Sequence, residues 1–172
     1  MSVSEFKEAD KLPLAVVLDN VRSLHNVGSV LRTADAFRLE GVWLCGITAC
    51  PPSPEIHKTA LGAEDSVEWH YEADTLAAVA ALHRAGYTVL AVEQVEGSLT
   101  LGSFRPEPGR RYALVLGNEV KGVQQAVVDA ADHALEIPQY GTKHSLNVSV
   151  TAAIVMWELA RQMRAAGAAE DE

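Results

Sequence analysis

The sequence predicts an α/β domain whose mostly parallel sheet is flanked by helices, and three observations carry that reading. Short apolar runs alternate with amphipathic stretches from end to end, the pattern of strands joined by helical crossovers. At 172 residues and 48% hydrophobic content the chain can bury one sizeable core. No repeat, low-complexity linker or second domain is visible. Residues 1–172 therefore read as a single domain, with flexible acidic tails expected at 1–10 and 165–172.

In chain order, the first apolar run, Leu14 to Leu18, is the first expected strand, and Val27 to Phe37 is a helix that starts at Asn26. A strand at Gly41 to Cys45 is followed by a helix at Glu55 to Leu61, then a strand at Val67 to Tyr71. The helix at Thr75 to Ala85 is the clearest. Asp74 can cap it, Leu76, Val79 and Leu82 recur at helical spacing, and Arg84 and Gly86 close it. Strands at Thr88 to Val92 and Tyr112 to Leu116 precede a helix at Gln124 to Ala130. The last strand, Ala134 to Ile137, is stopped by Pro138, and a glycine-bearing loop leads into a helix at Val148 to Met163.

Composition narrows the function. No apolar run approaches the ~20 residues of a membrane span, and the N-terminus, with Glu5, Glu8 and Asp10, lacks a signal-peptide pattern, so a soluble, cytoplasmic protein is expected. Cys45 and Cys50 have no histidines at metal spacing and read as reduced structural thiols; no metal site is expected. The net charge of −9 argues against a generic nucleic-acid surface. The two termini, however, hold six acids and one base, which leaves 17 acids against 13 bases between them. Local clusters then matter more: Arg22, His25 and Arg32; Arg105, Arg110 and Arg111; and Lys121, Lys143 and His144 beside the glycine-marked loops.

Ligands of parallel α/β sheets gather beyond the carboxyl ends of strands, which selects three segments. In Asp19 to Thr33, Asn26 can hold the loop, Gly28 permits close backbone approach, and the Arg32 guanidinium can grip a phosphate through two parallel hydrogen bonds. The plainer reading is a cap at Asn26 and an ion pair from Arg32 to Asp19 or Asp35. In Gly117 to Gly122 the glycine spacing and the missing Lys-Ser/Thr pair exclude a Walker element, while an Asn-Glu pair between two glycines offers open backbone groups to a ligand; a bare tight turn is the alternative. In Ile137 to Val150, Ser145, Asn147 and Ser149 alternate ahead of an apolar helix although one cap needs one of them. Buried polar groups need partners, and a ligand could supply them.

Together and in this order the three segments resemble the signature motifs of the SpoU, or TrmH, family of the SPOUT superfamily of RNA methyltransferases. The resemblance rests on Asn26, Gly28 and Arg32-Thr33, on Leu116-Gly117-Asn118-Glu119 with Gly122, and on Ile137-Pro138 with Ser145-Leu146-Asn147-Val148-Ser149. It implies a C-terminal deep trefoil knot, an exception to the rule that chains do not thread loops. It also implies an S-adenosylmethionine site within the knot, a homodimer with active sites shared between subunits, and methyl transfer to a ribose 2′-hydroxyl of tRNA or rRNA. Carried over by motif position, Leu116, Gly117, Asn118, Gly122, Ile137, Ser145 and Leu146 would hold the methyl donor, and Asn26, Arg32, Glu119 and Asn147 would be catalytic. Arg22, His25, Lys121, Lys143 and His144 are the candidate RNA contacts.

Methyl transfer from a sulfonium needs alignment of oxygen, methyl and sulfur, and neither a metal nor a covalent nucleophile. Arginine is a poor base, so Arg32 is expected to hold the adjacent phosphate and ease proton loss from the hydroxyl electrostatically. The acidic, nearly bare catalytic domain is expected to find RNA through dimer-made basic grooves, a partner protein or a small stem-loop. Two rivals share the fold, a silent RNA-binding protein and a base methyltransferase. Retention of Arg32, Glu119, Ser145 and Asn147 disfavours the first, and the Ser-Leu-Asn motif disfavours the second.

Overall fold

The computed structural model describes residues 1–143 and 145–170. In chain order the elements are α1 (Val3–Glu8), β1 (Leu12–Asp19), α2 (Leu24–Phe37), β2 (Leu39–Cys45), α3 (Pro54–Ala60), α4 (Ala63–Ser66), β3 (Trp69–Glu72), α5 (Thr75–Arg84) and β4 (Tyr87–Val92). There follow β5 (Leu99–Thr100), a 3₁₀ turn at Leu101–Ser103, β6 (Arg111–Leu116), α6 (Gln125–Ala130), β7 (His133–Glu136) and α7 (Val148–Glu170). The strands form one sheet in the order β3-β2-β1-β6-β4-β7-β5, and every neighbouring pair is parallel.

The strand period of two divides the core into two layers. Leu14, Val16, Leu18, Leu114, Leu116 and Leu90 face α2 and α7, where Val27, Val30, Leu31, Val155, Met156 and Leu159 are buried. On the other face Ala15, Val17, Val89, Ala91, Ala113 and Val115 meet Ala78, Val79 and Leu82 of α5 and Val127 of α6. Residues 14 to 19 are completely buried, as expected for a parallel strand covered on both faces.

The structure departs from the sequence reading at short elements and at both termini. Residues expected as a loose lead-in form α1: Ser2 and Glu5 make a reciprocal capping box and Phe6 is buried in the main core. Helix α7 runs to Glu170 instead of stopping at Met163, because the alanine-rich stretch after Arg164 favours helix strongly enough to carry Gly167. Helix α2 starts at Leu24, three residues before the expected Val27, since Ser23 rather than Asn26 is its N-cap. Neither α4 nor β5 was expected; four and two residues are too short for a periodic signal.

Candidate active site

The carboxyl ends of β6, β4 and β7 open into a cleft of about 410 Å³. All seven expected donor residues, Leu116, Gly117, Asn118, Gly122, Ile137, Ser145 and Leu146, line it, together with Glu119 and Lys121. Its far wall, Glu93, Gln94 and Val95 after β4, was missed by sequence reasoning. No local motif marks it; only the sheet order, which places β4 between β6 and β7, brings it to the site.

The loop after β6 is closed by its own hydrogen bonds. The Asn118 and Gly122 backbones exchange N–H···O bonds of 3.0 and 2.9 Å. The Asn118 side-chain oxygen accepts from the N–H groups of Val120 (2.9 Å) and Lys121 (3.0 Å), and its Nδ2 donates to the Asn20 carbonyl at 2.8 Å. A Cβ on Gly117 would lie 2.1 Å from the carbonyl carbon of Gly122 and the nitrogen of Val123, so only glycine permits this fold-back. Glu93 secures the loop's other end by accepting from the Val123 N–H at 2.9 Å.

Glu119 joins this loop to the first motif. Its carboxylate accepts from the N–H of Arg22 (3.0 Å), the N–H of Ser23 (2.9 Å) and Nδ2 of Asn26 (3.1 Å) at the N-terminus of α2. Partial burial pushes the Glu119 carboxyl up, but the hydrogen bonds from Arg22, Ser23 and Asn26 outweigh it, and the net pKa lies below the usual carboxylate value. Asn26 is therefore not the cap of α2 but a buried link whose side-chain amide donates to Glu119.

In the third motif, Ser145 and Asn147 are exposed rather than buried, which corrects the expectation that their polarity needs a ligand to satisfy it. Asn147 caps α7: its side-chain oxygen accepts from the Ser149 and Val150 N–H groups at 2.9 and 3.3 Å and from the Ser149 hydroxyl at 2.6 Å. The oxygen being so committed, Nδ2 is the atom through which Asn147 can act on a ligand.

Arg32 lies elsewhere. It is exposed on α2 and lines a separate cleft with Asp35, Phe37, Arg38 and Arg164, and among the described residues it forms no ion pair with Asp19 or Asp35. Asp19 is fully buried and accepts instead from the Thr75 hydroxyl (2.6 Å) and from Gln124 (2.9 Å from its N–H, 2.6 Å from Nε2), pinning the end of β1 to α5 and α6. A single copy of the chain thus brings together Asn26 and Glu119 but keeps Arg32 apart from the donor cleft.

Among the expected RNA contacts, Arg22, Lys121 and Lys143 are exposed, His25 bonds Glu55 at 3.1 Å, and His144 lies outside the described residues. The second arginine cluster serves the fold: Arg110 pairs with Glu107, Arg111 with Glu40 and the Tyr87 ring, and Arg105 donates to the Gly102 and Phe104 carbonyls. Burial beside Asp19 pushes the Cys45 thiol up to about 12, leaving it protonated and unreactive. Among the described residues no three His, Cys, Asp or Glu side chains are grouped to hold a metal, and no helix is long and apolar enough to cross a membrane.

A parallel sheet with a cleft at the carboxyl ends of β4, β6 and β7, and its likeness to a solved TrmH/SpoU enzyme, place the chain among α/β domains of the SPOUT methyltransferase class. Residues 13–157 match the model of the SpoU rRNA methylase family, and the chain belongs to that family. It is 35% identical over 149 residues to a 23S rRNA (guanosine-2′-O-)-methyltransferase of Nitrosomonas europaea, covering 87% of this chain and 56% of that enzyme. A TrmH/SpoU tRNA modifying enzyme of A. aeolicus superposes with a TM-score of 0.84 at 25% identity, over 96% of this chain and 84% of the other. An AdoMet-bound rRNA methyltransferase of Sinorhizobium meliloti superposes with a TM-score of 0.81 at 28% identity, over 91% of this chain and 59% of the other. The chain spans 63% of the length of another curated relative, a putative TrmH family methyltransferase of Staphylococcus saprophyticus.

Proposed function

We propose that the protein transfers a methyl group from S-adenosylmethionine to a ribose 2′-hydroxyl of tRNA or rRNA, acting as a homodimer. The observation that carries this reading is the convergence of all seven motif-assigned donor residues on one cleft, latched by Glu119 to Asn26. The relatives named for 2′-O-methylation and for bound AdoMet support it.

The cleft fits such a donor chemically. Leu116, Ile137 and Leu146 supply apolar surface for an adenosine, while Glu93, Glu119 and Glu136 make the lining acidic, which suits a cation. When bound, the sulfonium supplies an electrophilic methyl group. Gly117 and Gly122 let the loop backbone close on the ligand, and Asn147, next to the cleft-lining Ser145 and Leu146 though not itself in the lining, keeps Nδ2 as a hydrogen-bond donor. The Arg32 guanidinium clamps the phosphate beside the target ribose, which lowers the cost of deprotonating the hydroxyl. In the same reading the segment from Ile137 into α7 threads a trefoil knot, which fixes that wall of the cleft.

The separation of Arg32 from the cleft is what a shared site requires. Val150, Ile154 and Trp157 recur along one stripe of α7 and are 47%, 37% and 56% exposed, with Leu146 just ahead of them. Trp157 packs on Phe37 of the Arg32 helix, with ring centroids 5.9 Å apart. A second copy covering this stripe would bury it and bring Arg32 toward a neighbouring donor cleft.

Incubation with labelled S-adenosylmethionine and total RNA tests the chemistry. Label in a nucleotide that resists alkaline cleavage on its 3′ side is expected. Alkali-labile label would assign base methylation, and tight RNA binding without label would assign a silent binding protein.

A further inference from the structure

The cleft that holds Arg32 contains two more arginines that the catalytic reading does not use. It lies between α1, α2, α4 and α7, measures about 840 Å³, and is lined by Arg38 at the C-terminus of α2 and Arg164 on α7 as well as by Arg32. Arg38 occupies the left-handed region, φ 55° and ψ 54°, at a helix C-cap where glycine is the usual residue. Its Nε is the one side-chain nitrogen or oxygen among the described residues that is buried without a hydrogen-bond partner. Being shielded, Nε cannot itself meet an incoming ligand; the cleft-lining end of the side chain is what a ligand would reach.

Arg164 is held close by. It donates to the carbonyl of Phe37, the residue before Arg38, at 2.7 Å. Among the described residues none of the three arginines is paired with a carboxylate. Two acids, Asp35 and Asp65, share the cleft, and Asp35 accepts from the Ser66 hydroxyl. Arg38 and Arg164 also border an adjoining cleft, where Lys11 donates to the Phe6 and Ala9 carbonyls and Arg110 pairs with Glu107. On a chain of net charge −9 such a concentration is a local exception.

We infer that Arg38 and Arg164 extend the phosphate grip of Arg32 and bind the sugar–phosphate backbone of the RNA strand flanking the target nucleotide. The inference rests on RNA being the substrate. Guanidinium groups suit it, since each can hold two phosphate oxygens at once. The groove supplies affinity and register rather than base recognition.

Measured binding of total tRNA and of ribosomal RNA across a salt series tests this, using wild type, Arg38→Gly, Arg164→Gln and the double variant. Glycine accepts the left-handed cap, so Arg38→Gly should fold normally. Each lost phosphate contact should lower the slope of log affinity against log salt by ~0.7–0.9, and the double variant by about twice that. Calorimetric S-adenosylmethionine binding and solution mass should stay at wild-type values. Unchanged affinity and slope in the double variant, with wild type binding RNA, would overturn the inference and leave the methyltransferase reading intact. Affinity lost only together with dimer mass would overturn it too, by assigning the groove to contact between copies. Wild type that binds neither RNA would overturn both.

Discussion

Glu119 accepts three hydrogen bonds that cross between the first and second motif loops, so at the scale of the residue it is a latch as well as a candidate catalytic group. Replacing it with alanine should cost about 1–3 kcal/mol of unfolding free energy in urea, as the part-buried Ser23 and Asn26 donors lose a charged acceptor. The pH dependence has a fixed sign. Because the folded-state pKa is lowered, the carboxylate stabilises the protein above the ordinary carboxylate value, and that contribution is lost as pH falls through the folded value. Glu119→Gln should therefore be less stable than wild type at neutral pH, with a gap that narrows below about pH 4.3, measured by melting temperature. Gly117→Ala should abolish calorimetric donor binding, since its methyl group would meet the Gly122–Val123 backbone. None of these contacts could be assigned from sequence. Asn26 and Glu119 were visible as motif members, but their hydrogen bond spans 93 positions and exists only once the sheet is assembled.

Among the elements, six strands and five helices were legible as apolar runs and amphipathic stretches, although β3 begins at Trp69 rather than the expected Val67, which caps α4, and has no buried residue. Helix α1 escaped notice because one buried residue, Phe6, and one capping box define it. The polar start of α7 was legible as unusual but was misread: Asn147 is spent largely on capping, and the serine–asparagine run is exposed. Asn147→Asp keeps a capping oxygen and removes the Nδ2 donor; it should leave stability within about 0.5 kcal/mol while lowering turnover, whereas Asn147→Ala should also lose ~1 kcal/mol. The exposed stripe on the same helix makes a separate claim. Trp157→Glu should shift the solution mass toward that of a monomer in light scattering, and an unchanged mass would remove the stripe as the dimer contact.

At the scale of the whole molecule, the sheet order puts the donor cleft and Arg32 in different places, a fact that no motif spacing reveals. The central claim is that the cleft of one copy and Arg32 of another together methylate a ribose hydroxyl. Mixed dimers of a cleft-blocking variant, Ser145→Trp, and Arg32→Ala test it most directly, scored by alkali-resistant label in RNA. Each variant alone should be nearly inactive. Co-expressed and purified as mixed dimers, they should recover up to about half of wild-type activity, because one of the two sites in each mixed dimer is intact. Mixed dimers that form but stay as inactive as either parent would contradict the shared site.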